Sequence, residues 1–178
     1  MRVVAGRLRG RRLAAPRGAH TRPTSDRVRE ALFSVLGDLE GAAVLDLFAG
    51  SGALGVEALS RGAARATFVD SAPAAVAAVR RNLAELRLED AAEVRRADAR
   101  AFLRKARAAG RQYDLVFLDP PYRRAAALGA ELSEALAPVL APGARVVAES
   151  DRRAPLELAL RPVDERRYGD TLIRIHGP

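Results

Sequence analysis

The sequence predicts an α/β domain. Its core is a mostly parallel central sheet with helices on both faces, followed by a C-terminal antiparallel hairpin and preceded by a small N-terminal β-hairpin. Three observations carry this. Short apolar runs alternate with helix-like segments between residues 43 and 149. The runs end in, or lead straight into, Asp46, Asp70, Asp98 and Asp119. The final segment breaks the alternation with two strand-like stretches around Gly169-Asp170. Alternation of near-continuous apolar strands with helices implies a parallel sheet covered on both faces. Two strands joined by a short glycine turn imply an antiparallel pair.

The elements follow in order. Residues 2–15 read as two short strands around Gly6 and Gly10. A loop from Pro16 to Pro23 leads to Thr24-Ser25-Asp26, which offers hydroxyl caps and a first-turn acid. The helix it opens carries Val28, Ala31, Leu32, Val35 and Leu36 at helical spacing and stops at Gly37. Core strands are expected at 43–47, 66–70, 93–97, 113–118 and 144–149. Helices are expected at about 54–61, 73–86, 102–109 and 125–140. Val163 to Tyr168 and Thr171 to Ile175 form the closing hairpin. On such a sheet, ligands sit beyond the carboxyl ends of the strands, where strand order reverses. The four aspartates should therefore line one edge.

Composition narrows the chemistry. The chain has 178 residues, 49% hydrophobic and 29% charged, which suits one folded domain with a substantial core. The absence of cysteine excludes disulfides, thiolate metal sites and a cysteine nucleophile. Two separated histidines, His20 and His176, disfavour a histidine zinc site or a Ser-His triad, so no metal is expected. No apolar run of secretory or membrane-spanning length is seen, and a cytoplasmic location without membrane contact is expected.

Charge is unevenly spread. The net charge is +8, yet residues 1–23 hold seven arginines and no acid, so the rest is close to neutral. The division expected is a basic N-terminal hairpin or arm at 1–23 and a globular domain at 24–178. A polyanion, nucleic acid above all, is the natural partner of such an arm. Arginine usage in place of lysine explains the residue type but not the clustering.

The first motif is Leu45-Asp46-Leu47-Phe48-Ala49-Gly50-Ser51-Gly52-Ala53-Leu54-Gly55. Its glycines match the G-x-G-x-x-G spacing between a strand and a helix. A tight strand-to-helix turn is the plain alternative. Asp46 would repel a pyrophosphate and suits a cationic amino group, such as that of a methionine moiety. Asp70 is placed to accept from two ribose hydroxyls, a role common to nicotinamide and S-adenosylmethionine sites. Asp98 could meet an adenine amino group, or could simply cap the next helix.

The second motif is Asp119-Pro120-Pro121-Tyr122, directly after an apolar strand. The prolines impose an extended backbone and lack N–H groups, which frees carbonyls for a ligand. Asp119 and the Pro120 carbonyl make a pair of acceptors for an exocyclic amine on a planar base, and Tyr122 offers a stacking ring. Catalysis would rest on positioning and electrostatics.

Together, Asp46 to Gly55, Asp70 and Asp119 to Tyr122 resemble the Rossmann-like class I S-adenosylmethionine-dependent methyltransferases that methylate amino groups. The stretch Thr21-Arg22-Pro23-Thr24-Ser25-Asp26-Arg27-Val28-Arg29-Glu30-Ala31-Leu32-Phe33 is similar to the corresponding segment of the RsmD family, bacterial small-subunit rRNA guanine-N2 methyltransferases. Phe48 to Ala63 and Met1 to Gly6 are similar to it as well.

The resemblance implies methylation of the exocyclic N2 of one guanine in 16S ribosomal RNA, on an assembled or assembling small subunit, by a monomer. It implies S-adenosylmethionine contacts at Asp46, Phe48, Ala49, Gly50, Ser51, Gly52, Asp70, Ser71, Asp98 and Ala99. It implies a catalytic role for Asp119, Pro120, Pro121 and Tyr122, and RNA contacts from Arg7, Arg9, Arg11, Arg12, Arg22 and Arg27. The sequence departs from the family after Tyr122, where Arg123 to Ala127 is alanine-rich, and at the C-terminal end, where the expected aromatic is absent. No role is assigned to His20 or His176.

Three competing readings remain at this level. A DNA adenine-N6 methyltransferase can use the same four-residue motif, although the chain has no room for a separate target-recognition region. A non-catalytic RNA-binding ribosome assembly factor with a relict cofactor fold is disfavoured by the intact motifs. A nicotinamide-dependent dehydrogenase is disfavoured by Asp46.

Overall fold

The computed structural model describes residues 1–16, 25–120 and 125–177, with backbone alone at 125–127. The helices are α1 (Asp26–Leu36), α2 (Ala53–Ser60), α3 (Pro73–Leu86), α4 (Ala99–Ala108) and α5 (Ala125–Leu136). The strands are β1 (Ala43–Leu47), β2 (Arg65–Asp70), β3 (Ala92–Arg96), β4 (Tyr113–Leu118), β5 (Leu140–Asp151), β6 (Pro162–Tyr168) and β7 (Thr171–His176). They form one seven-stranded sheet in the order β3-β2-β1-β4-β5-β7-β6. The first five run parallel; β7 is antiparallel to β5 and to β6.

Strand alternation builds two cores. Val44 of β1 joins Leu32, Phe33, Val56, Leu59, Phe68, Val79, Leu83 and Phe117 on the face covered by α1, α2 and α3. Ala43, Leu45 and Leu47 join Leu103, Val116, Leu118, Leu132 and Leu136 on the face covered by α4 and α5. Every residue of β1 is buried, as expected for a central strand. By the same alternation Asp46 faces α2. The order reverses at β1, which pairs with β2 on one side and β4 on the other. That places the switch point between β1 and β4.

Capping fixes the helix ends. The Ser25 hydroxyl accepts from the Val28 N–H at 3.3 Å, and α1 ends at Gly37. Arg29 lies fully buried on α1 among the residues predicted as its apolar face, its charge turned to Asp26 and the Arg2 carbonyl. The helix after β3 starts at Ala99 rather than Phe102, because Asp98 accepts from the Arg100 and Ala101 N–H groups at 3.0 and 3.2 Å. The helix expected to reach Leu140 ends at Leu136. Ala137–Val139 is a 3-10 turn holding Pro138, and β5 begins at Leu140 instead of Ala144. Proline has no N–H to continue the helical ladder.

The N-terminal residues form a hairpin with a single antiparallel bridge, Arg2 to Arg12, rather than two strands. The reason is a competing set of partners. The Val4 and Ala5 N–H groups donate to the Glu57 carboxylate at 2.7 and 2.9 Å, and the Leu8 N–H donates to Ser60 Oγ at 3.0 Å. Val3 and Leu13 are buried in the core beneath α1 to α3. The described part of the basic segment is thus docked on α2. The Pro16–Pro23 loop expected from sequence lies outside the described residues beyond Pro16.

Candidate active site at the carboxyl edge of the sheet

The glycine-rich turn after β1 is set by backbone geometry. Phe48, the first residue beyond β1, has φ of 65°, rare for a residue with a side chain. The Ala49 N–H then donates to the Val69 carbonyl at 3.0 Å, and the Gly50 N–H donates to Asp70 Oδ2 at 2.9 Å. Gly52 caps α2 with φ of 78°, a left-handed conformation that glycine adopts without strain. A Cβ on Gly55 would lie 2.3 Å from Phe68 Cε1, so this glycine lets α2 lie against β2. Ala49, Ser51 and Gly52 are buried, while Phe48 and Gly50 are half-buried.

Around this turn the acids converge. Asp46 is buried and its Oδ2 accepts from the Gly55 N–H at 3.0 Å. Burial raises its pKa from the ordinary 3.8 to about 7; the Gly55 bond opposes that rise and the Asp70 charge adds to it. Asp70 ends β2, and its Oδ1 accepts from the Ala72 N–H at 2.8 Å. Asp119 follows β4, one residue beyond the Leu47–Leu118 pair. Burial, then Glu149, then Asp46 push its carboxyl well above the usual carboxylate range.

Glu149 was not among the candidates from sequence. It is buried on β5, one residue beyond Ala148, which pairs with Leu118. It therefore stands level with Asp119 on the neighbouring strand. An acid inside an apolar strand was the available signal.

Asp98 caps α4 with Oδ1 and is largely exposed, 3.7 Å from the Arg100 guanidinium. Ala99 is buried at the start of α4, and Ser71 is exposed beside Asp70. Pro120 is buried behind Asp119; Pro121 and Tyr122 lie outside the described residues. No cluster able to hold a metal ion occurs among the described residues.

Of the arginines, Arg7, Arg9, Arg11, Arg12 and Arg27 are exposed, and Arg22 lies outside the described residues. Arg11 donates to the Glu85 carbonyl at 3.0 Å. The hairpin tip rests on Ser60 at the C-terminal end of α2, through the Arg7 N–H at 2.8 Å. Its base meets the glycine turn, where Met1 Sδ is 3.4 Å from Ser51 Oγ. Arg7 is thus carried at the far end of α2 from the turn. No helix among the described residues is long and apolar enough to cross a membrane.

A parallel sheet reversed at β1, with an antiparallel β7 beside β5 and acids at the carboxyl ends of β1, β2 and β4, is the class I methyltransferase fold. The chain belongs to the family described as conserved hypothetical protein 95, the RsmD family, whose model matches residues 1–177. It is 46% identical over 124 residues to YlbH of Bacillus subtilis (strain 168), covering 69% of this chain and 67% of that one. It is 45% identical over 125 residues to "Ribosomal RNA small subunit methyltransferase D" of Escherichia coli (strain K12), covering 70% of this chain and 61% of that one. The solved structure of Escherichia coli yhhF superposes with a TM-score of 0.85 at 37% identity, covering 99% of this chain and 97% of the other.

Proposed function

We propose that the chain transfers the methyl group of S-adenosylmethionine to the exocyclic N2 of one guanine in small-subunit (16S) ribosomal RNA. The observation that carries this is the convergence of Asp46, Asp119 and Glu149 beside the glycine turn. Two buried acids and the half-buried Asp119, repelling one another, fit a cationic ligand and not a pyrophosphate. The RNA target is supported by the Escherichia coli relative, a ribosomal RNA small subunit methyltransferase.

When bound, S-adenosylmethionine supplies a methyl group already activated on a sulfonium. Asp46 would hold its ammonium group, Asp70 its ribose hydroxyls, and the Ala49–Gly52 turn its methionine chain, with Phe48, Ser71, Asp98 and Ala99 around its edges. Asp119 and the Pro120 carbonyl would accept the two N–H groups of the guanine amine and hold its nitrogen toward the methyl carbon. As the N–C bond forms, the C–S bond breaks with its electron pair left on sulfur. Asp119 then takes the proton shed by nitrogen, which its raised pKa favours. Pro121 and Tyr122 would complete the base pocket. Arg7, Arg9, Arg11, Arg12, Arg22 and Arg27 would hold phosphates.

This reading also takes the chain as a monomer working in the cytoplasm on the small subunit or an assembly intermediate. It divides the chain into an RNA-holding arm at 1–23 and a catalytic domain at 24–178. The test is incubation with labelled S-adenosylmethionine and, in separate reactions, small subunits from a strain lacking the enzyme and unmethylated DNA, followed by mapping of the labelled nucleotide. Label on a guanine N2 is expected. Label on adenine N6 of DNA instead, or no label on either, overturns the reading.

A further inference from the structure

Asn82 lies in the third turn of α3 and is fully buried, and its amide has partners on two separate segments. Its Oδ1 accepts from the Ala14 N–H at 2.8 Å and its Nδ2 donates to the Ala14 carbonyl at 3.0 Å. The same Nδ2 donates to the Ser51 carbonyl at 2.8 Å. Ala14 ends the described arginine-rich hairpin; Ser51 lies between the two left-handed glycines of the turn. One side chain therefore carries both the base of the arm and the floor of the turn.

Neighbouring contacts repeat the link. Met1 Sδ meets Ser51 Oγ at 3.4 Å. The carboxylate of Glu57, on the helix that the turn opens, accepts two arm N–H groups. A shift of the arm along α2 and α3 must then stretch bonds that end on Ser51. A buried amide that leaves backbone groups unpaired when lost has few alternative arrangements.

We propose that Asn82 is a positioning residue that couples the arm to the glycine turn, so that RNA on the arm and cofactor in the turn strengthen each other's binding. The proposal rests on the function assigned above and adds an energetic link between its two ligands. By reciprocity, the factor by which one ligand tightens the other must be the same in both directions.

The test uses the full chain, S-adenosylhomocysteine as the cofactor probe, and small ribosomal subunits from a strain lacking the enzyme. The dissociation constant of each is measured by calorimetry with and without saturating amounts of the other. In the unmodified protein each ligand should tighten the other by about fivefold or more, the lower end of ordinary allosteric couplings. Asn82→Leu keeps the size of the side chain and removes its amide. The factor should then fall toward one, with both ligands still bound and only the Met1 and Glu57 contacts left to carry the link.

Ala14→Pro provides a second variant should Asn82→Leu fail to fold. It deletes the arm's N–H and leaves the other two bonds of Asn82 in place, and it should lower the factor part of the way toward one. It should also speed hydrogen exchange at the Ser51 and Gly52 amides without any ligand. A factor of one in the unmodified protein with both ligands bound overturns the coupling and leaves the function standing. So does an unchanged factor in both variants. Failure of the unmodified protein to bind one of the ligands overturns the function, and the coupling with it.

Discussion

The Asp46 carboxylate accepts the Gly55 N–H at 3.0 Å, which joins β1 to the first turn of α2 with a buried acid. That acid holds its proton up to about pH 7 in the folded chain, against an ordinary 3.8. Between these values the folded state binds more protons than the unfolded one. Stability without ligand should therefore fall as pH rises from about 4 to 7. A cationic ligand needs the ionised form, so its affinity should move the other way. We predict about tenfold tighter binding of S-adenosylmethionine at pH 8 than at pH 6, measured by calorimetry. Asp46→Asn should remove that part of the slope and weaken binding at pH 8.

Glu149 on β5 stands level with Asp119 just beyond β4, and its charge raises the cost of ionising Asp119. Asp119→Ala should abolish methyl transfer while S-adenosylmethionine still binds, read by a turnover assay beside calorimetry. Glu149→Gln should instead shift the pH profile of transfer, because it removes a negative neighbour and lets Asp119 ionise at lower pH. The acidic limb should move down with the variant folded. An unmoved limb would show that Asp119 is not the group titrating in the profile.

Asp70 holds the Gly50 N–H at 2.9 Å through one oxygen and the Ala72 N–H at 2.8 Å through the other. Replacing it with alanine takes an acceptor from the turn as well as from the proposed ribose site. Hydrogen bonds to charged groups contribute about 1.5–3 kcal/mol. Cofactor affinity should fall by about ten- to a hundredfold in Asp70→Ala by calorimetry.

The edge of aspartates was legible because strand, turn and acid lie within a few residues of each other. Asp46, Asp70 and Asp119 each follow directly from an apolar run, and Gly50, Gly52 and Gly55 from their spacing. Glu149 was missed because its partner, Asp119, is 30 positions away in the chain. Glu57 was missed for a similar reason. A glutamate in mid-helix reads as solvent-facing, yet it is fully buried because arm residues 4 and 5 come back to it. Asp98 shows the limit within a single turn: the same position fits a helix cap or a ligand contact, and its oxygen is spent on the cap. Local pattern reports what a segment does with itself. It does not report which distant backbone group completes a buried side chain.

The docking of the arm decides how its proposed contact with RNA can be tested. Deleting residues 1–16 would take Val3 and Leu13 out of the core and strip Glu57, Ser60 and Asn82 of partners, so weaker binding could reflect loss of fold. Exposed arginines can be changed without that damage. Arg7→Ala, Arg9→Ala and Arg12→Ala together leave those backbone bonds intact, since none of them is made by these three side chains. Removing one arginine–phosphate pair should flatten the dependence of log K on log salt by roughly 0.7–0.9 units. If all three side chains touch phosphate, the slope should flatten by about two or more units, with the melting temperature unchanged. A slope that flattens only with Arg12→Ala would confine the RNA to the base of the hairpin, near Ser51. An unchanged slope in the triple variant would remove Arg7, Arg9 and Arg12 from the RNA-binding surface.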